Sequence, residues 1–147
     1  MDYKLEDKLL KEFNFYKGPY GRGISFECGD GWFDLLYELS KGIQSLIDAG
    51  LESLGFNVYQ VKEKFATLRY YCNGTTWETD KLITEAVEKS AVTCEDCGKP
   101  GICRNINGWY RTLCDECYQT NLIRLEKMFI FEKDIKRPEE EKEAEND

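Results

Sequence analysis

Four cysteines fall in two Cys-x-x-Cys pairs, Cys94-Glu-Asp-Cys97 and Cys114-Asp-Glu-Cys117, with sixteen residues between them. Two thiolates two residues apart can face one ion across a tight turn. Two such pairs complete the tetrahedral set of soft donors that Zn²⁺ takes. Four sulfurs leave no open coordination position, so one structural zinc ion is expected, not a catalytic one. Gly98 directly follows the first pair, where a zinc knuckle needs unusual backbone angles. Cys103 lies between the pairs, as a hairpin residue or as a competing ligand. Cys28 and Cys72 read as small buried residues. The chain has no histidine to activate them as nucleophiles, and none to serve as a general base.

Two further segments carry chemistry-bearing residues. Glu27-Cys-Gly-Asp-Gly-Trp32 sets two acids around a glycine turn. It reads either as a helix cap with a packing tryptophan or as a turn that approaches a ligand, with Glu27, Asp30 and Trp32 as its contacts. Lys62-Glu-Lys-Phe-Ala-Thr-Leu-Arg-Tyr-Tyr71 concentrates two lysines, an arginine and three aromatics. If period two holds, Lys62 and Lys64 share a face, and with Arg69 and Tyr71 they make a cationic surface beside stackable rings. Such a surface suits a nucleotide or another small phosphate ligand. An ordinary solvated strand face is the alternative. Gly18-Pro-Tyr-Gly-Arg-Gly23 lacks the Gly-Lys-Ser/Thr ending of a phosphate loop.

The elements that must position these residues follow from periodicity. Leu5, Leu9, Leu10 and Phe13 predict a helix over 4–15. Residues 16–31 hold five glycines and one proline and predict a loop, with a short extended piece at Ile24–Cys28. Asp30 is placed to cap a helix running to about Ala49, carried by Trp32, Leu35, Leu36, Leu39, Ile43, Leu46 and Ile47. Val58–Lys62 and Thr67–Cys72 predict a β-hairpin, and Thr75–Glu78 a capping box before a helix over 76–91. Asn107-Gly108 predicts a tight turn between strands Ile102–Ile106 and Trp109–Leu113. After Cys114 the chain turns helical, with Tyr118, Leu122, Leu125 and Phe129 on one face. Knuckle, hairpin and a helix giving the last two ligands make a treble-clef-like module. The fold expected is α+β: a helix–β-hairpin–helix body over 1–92, a zinc module with a long helix over 93–136, and a disordered acidic tail over 137–147.

Charge and composition exclude several classes. The net charge is −8, but residues 138–147 hold six acids and one base, so −5 of it lies there and −3 in the rest. A near-neutral body without a basic run does not suit a long nucleic acid. No stretch approaches the ~20 apolar residues of a membrane span. An odd count of seven cysteines, four of them in metal spacing, points to a reducing, cytoplasmic setting and not to a disulfide framework.

Three segments together resemble a family of small zinc-binding proteins of bacteriophage and prophage genomes, of unsettled function. Its marks are a Gly-Asp-Gly-Trp turn, a Lys-Glu-Lys-Phe-Gly-x-Leu-Arg-Phe-Tyr hairpin and a Cys-x-x-Cys-Gly-x-Pro-Gly knuckle. Here they read GDGW at Gly29–Trp32, KEKFATLRYY at Lys62–Tyr71 and CEDCGKPG at Cys94–Gly101. Ala66 stands where the family has glycine. The likeness spans about residues 26–120 and implies a phage accessory protein in the bacterial cytoplasm. The expected function is capture of a small anionic ligand, such as a host immune nucleotide signal. A zinc-stapled module that inhibits or adapts a host protein is the alternative. A nuclease or phosphodiesterase using Glu27, Asp30 and a second metal comes third. The oligomeric state stays open, a homodimer among the options.

Overall fold

The computed structural model describes residues 1–18, 20–50 and 55–135. The acidic tail of the sequence reading lies outside them. Among the described residues the chain is mixed α and β, with four α-helices and two small sheets. Helix α1 is Tyr3–Glu12, strand β1 Phe26–Glu27, helix α2 Phe33–Asp48, strands β2 and β3 Asn57–Lys64 and Thr67–Asn73, and helix α3 Trp77–Ser90. Strands β4 and β5, Ile102–Ile106 and Trp109–Leu113, precede helix α4, Asp115–Ile135. Internal packing divides the chain after Cys114, and α4 opens the second unit. No helix of the described residues is long and apolar enough to cross a membrane.

The expected hairpin is part of a larger sheet. β1 pairs with β2 in parallel, Phe26 opposite Val61 and Glu27 opposite Lys62, and β2 pairs with β3 antiparallel. Two residues are too few for a periodicity signal, so sequence reading found only an extended piece there. One face of the sheet carries Phe26, Val58, Val61, Leu68 and Tyr70 into the core, where they meet Leu9, Trp32, Leu36 and Ile43. Aromatic rings fill the space between α1 and the sheet: Tyr16 packs edge-on against Phe26 and Tyr70. Its hydroxyl joins a buried chain, accepting from the Tyr70 hydroxyl at 3.0 Å and lying 2.7 Å from Ser40 Oγ. Paired in this way, the phenols satisfy one another in a site closed to water.

Three local features decide the turns. Asn107 and Gly108 both take positive φ, as their hairpin requires. Phe65 and Ala66 also take positive φ, 53° and 63°, so a tight two-residue turn forms without a glycine. Left-handed geometry costs a non-glycine residue ~1 kcal/mol or more. Here it is held from both sides: Glu63 Oε1 accepts from the Ala66 N–H at 2.7 Å, and Thr112 Oγ1 donates to the Ala66 carbonyl at 2.7 Å. The capping box forms between Thr76 and Thr79, one residue later than expected.

Asp30 does not cap α2. A 3₁₀ turn, Asp30–Trp32, intervenes before the helix, and no side chain caps either element. The Asp30 carboxylate instead accepts the Asp2 N–H at 2.6 Å, which fastens the start of α1 to this turn.

α3 seals one side of β3 through Ser90, a fully buried residue whose Oγ accepts from the Leu68 N–H at 2.9 Å and donates to the Val87 carbonyl at 2.6 Å. Replacing Ser90 with Ala strands a buried N–H. We expect a loss of ~1–3 kcal/mol in denaturant unfolding, against less than ~0.5 kcal/mol for Thr84→Ala on the exposed face of the same helix. A pH dependence follows from the core. Burial pushes the Cys28 thiol from 9.0 up to about 12 and the Tyr16 phenol from 10.0 up to about 12. Both groups ionise earlier in the unfolded chain, so the stability they contribute is complete below pH 9 and is lost as the pH rises toward 12. Alkaline unfolding curves check this; a stability flat from pH 9 to 12 contradicts it.

Candidate metal centre and sheet face

The Sγ atoms of Cys94, Cys97, Cys114 and Cys117 all lie within 4.8 Å of one another, with Cys97 and Cys114 3.6 Å apart. Thiolates bound at ~2.3 Å around a tetrahedral ion sit about 3.8 Å from each other, so the quartet has the dimensions of a metal site. Cys103, exposed on β4, is outside the group. Glu27 and Asp30 belong to no cluster of three or more such ligands among the described residues.

The local backbone forms the knuckle that the spacing predicts. Cys94 donates to the Lys99 carbonyl at 2.7 Å, and the Gly98 N–H returns to the Cys94 carbonyl at 2.8 Å. Gly98 has φ +77°. A bridge between Thr93 and Pro100 closes the loop.

What sequence reading missed is the seat of this knuckle. It rests on the Gly-Asp-Gly-Trp turn. The Gly31 N–H donates to the Glu95 carbonyl at 2.7 Å, the Gly29 N–H to Glu95 Oε1 at 2.9 Å, and the Trp32 indole N–H to the Thr93 carbonyl at 2.8 Å. A Cβ on Gly31 would stand 2.5 Å from Gly98 N and 2.6 Å from Cys97 N, and closer still to the Cys94 carbonyl. Only glycine admits that approach. Trp32 is fully buried, so its ring packs the core.

Glu95 is the hub of the contact. It is 4% exposed, although it looks like a mere spacer between two cysteines. Its backbone N–H donates to the Thr112 carbonyl on β5 at 2.9 Å. Its second carboxylate oxygen receives Arg111 Nε at 3.0 Å, while Arg111 Nη2 reaches Asp96 at 2.7 Å. A buried carboxylate needs such partners, and here they tie knuckle, turn and β4–β5 hairpin to one point. The only sequence signal was the pairing of an acid with glycines far upstream, which has no periodicity to reveal it.

The second group of sequence candidates separates. Lys62 and Arg69 are direct cross-strand partners, Lys64 faces Thr67, and Gln60 faces Tyr71. Glu27 flanks Lys62 from β1. Lys62, Lys64, Arg69, Tyr71 and Glu27 therefore share the sheet face turned away from the core. Lys62 Nζ stands 5.8 Å from the centre of the Tyr71 ring, and Tyr59 stacks on Tyr71 at 6.3 Å. Arg69 Nη1 donates to Thr67 Oγ1 at 2.7 Å, which holds its guanidinium along the strand. Asp30 and Trp32 are not part of this face; both serve the turn beneath the knuckle. Surface clefts of about 430, 480 and 330 Å³ are lined by other residues.

No family model, curated protein or solved structure matches this chain.

Two measurements check the centre. Cys97→Ser should yield metal-poor protein by elemental analysis, with a melting temperature lower by ~10 °C or more, because binding energy at such a site is folding energy. Full metal content with unchanged melting would overturn the assignment. Gly31→Ala should act at a distance, destabilising by more than ~2 kcal/mol and loosening the metal, because the clash is with backbone. Gly42→Ala, whose Cβ would meet only the flexible end of Leu82 at 3.1 Å, should cost far less.

Proposed function

We propose that this chain is a zinc-stapled binding protein that holds a small anionic ligand of nucleotide type on the outer face of its three-stranded sheet. The observation that carries this reading is the direct pairing of Lys62 with Arg69 across β2 and β3. Like charges opposite one another destabilise a sheet, and an anion lying between them offsets that cost. Tyr71 and Tyr59 add ring faces on which a base can stack. Glu27 beside Lys62 keeps the net positive charge small, which suits a small ligand better than a long polyanion.

Zinc is the ion that four thiolates in a closed set favour. The hairpin β4–β5 followed by α4, with Cys117 in the first helical turn, fits a treble-clef arrangement, and a helix N-terminus favours thiolate ligands. The role of such an ion is to hold the surrounding fold. The biological form of this reading is a phage accessory protein of the bacterial cytoplasm that sequesters a host immune nucleotide. We assign it no catalytic step.

A second reading, docking of a host protein on the same face, is favoured by the openness of that face. Titration calorimetry against a panel of cyclic mono- and dinucleotides separates the two. The first reading predicts saturable heat with at least one of them, abolished in Lys62→Glu and weakened tenfold or more in Arg69→Ala. Silence across the panel overturns it. A host protein held by the wild type but released by Lys62→Glu then establishes the second.

A further inference from the structure

Glu95 stands between two of the clustered cysteines, and two parts of the outward sheet face are fastened to it. On the β1 side, the N–H groups of Gly29 and Gly31, which follow Glu27 closely, both donate to Glu95, at 2.9 and 2.7 Å. On the hairpin side, the Glu95 N–H holds the Thr112 carbonyl at 2.9 Å, and the Thr112 hydroxyl holds the Ala66 carbonyl at 2.7 Å. The cross-strand row Glu27–Lys62–Arg69 lies a few residues along the chain from these two attachments.

β1 is too short to hold its place alone. It has two residues and two pairings with β2, where strands usually have about five or six residues. Phe26 has other support: its side chain is buried and its N–H donates to Glu6 Oε1 at 2.8 Å. Glu27 is exposed and depends on the turn that follows it.

The place of Glu95 depends in turn on its neighbours. The four Sγ atoms lie within 4.8 Å of one another, a spacing that an ion enforces. Such ligand sets are rarely preformed without their metal, and ionised thiolates at this distance repel one another. The hydrophobic core of the body includes none of these four cysteines, so it has its own source of stability.

We propose that metal occupancy controls the sheet-face site. With the ion bound, Glu95 holds β1 and the Ala66 turn, and Glu27, Lys62 and Arg69 keep their places. Without it both attachments loosen while the core stays folded. The ligand half of this inference rests on the nucleotide reading above. Linkage then requires that metal and nucleotide tighten each other's binding by the same factor.

Amide exchange, followed residue by residue under reducing conditions, tests this on the full chain loaded with Zn²⁺ and then stripped with a chelator. The N–H groups of Gly29, Gly31 and Ala66 and the indole N–H of Trp32 should exchange ~10-fold or more faster after stripping. Leu36 and Ile43 in α2 and Val61 in β2 should keep their protection. Unchanged exchange at Gly29 and Gly31 overturns the proposal. So does a loss of protection throughout α2 and β2, because the metal then holds the whole fold and not this face. Glu95→Ala keeps all four cysteines and should speed exchange at Gly29 with the metal still bound. Calorimetry with the cyclic nucleotides on loaded and stripped protein separates the two readings. Binding weakened ~10-fold by stripping supports the coupling. Equal binding to both forms overturns the coupling and leaves the sheet-face reading standing. Silence of the loaded protein overturns the sheet-face reading, and the exchange pattern still decides whether the metal orders β1.

Discussion

The contact on which the described fold most depends is the backbone-to-backbone seat of the Cys94–Gly98 knuckle on the Gly29–Trp32 turn. Two glycines let main chain meet main chain, and the hydrogen bonds from Gly31, Gly29 and Trp32 are partly shielded from water, that of Gly29 on a carboxylate that is itself buried. Losing one would leave a stranded polar group and not merely a weaker contact. The turn in turn ends β1, begins α2 and receives the start of α1 through Asp30. A single short segment thus connects the metal centre with the sheet and with the first two helices.

Glu95 gives this contact its electrostatic logic. A carboxylate enclosed to this degree is costly unless its lone pairs are filled. One oxygen takes the Gly29 N–H and the other the Arg111 guanidinium, so the charge is balanced by a residue on the hairpin that also carries the approach to Cys114. Thr112 extends the same hairpin to the Ala66 turn. The metal centre and the strained tip of β2–β3 are therefore linked through β5. Strain at Ala66 persists because a hydrogen bond within its own hairpin, to Glu63, and one from β5, from Thr112, over-determine it.

The aromatic core faces inward, and the Cys94–Gly98 knuckle and the glycine turn pack onto one another. The sheet face bearing Lys62, Arg69 and Tyr71 faces outward, and the core beneath it fixes its register. Val61 and Tyr70 are buried cross-strand partners, so a slip of one residue would carry Lys62 and Arg69 into the core. The arrangement of the charges is thus a consequence of packing on the other side of the sheet.

By itself the sequence determined whatever is encoded locally. Cysteine spacing marked the four clustered thiols. The Asn107-Gly108 turn placed β4 and β5 at their observed ends, and apolar periodicity found α2 and α3 within a residue or two. Period-two alternation put Lys62 and Lys64 on one face. Tertiary structure alone decided the partners of groups distant in the chain. It made Glu27–Trp32 two different things, a sheet residue at one end and a seat for the knuckle at the other, where the sequence showed one motif. It recruited Phe26–Glu27 as a strand, turned Asp30 from helix cap to anchor, and buried Glu95. The physical reason is common to all four. Each depends on a hydrogen bond or close approach between residues more than twenty positions apart, and such a contact leaves no period in the chain that forms it.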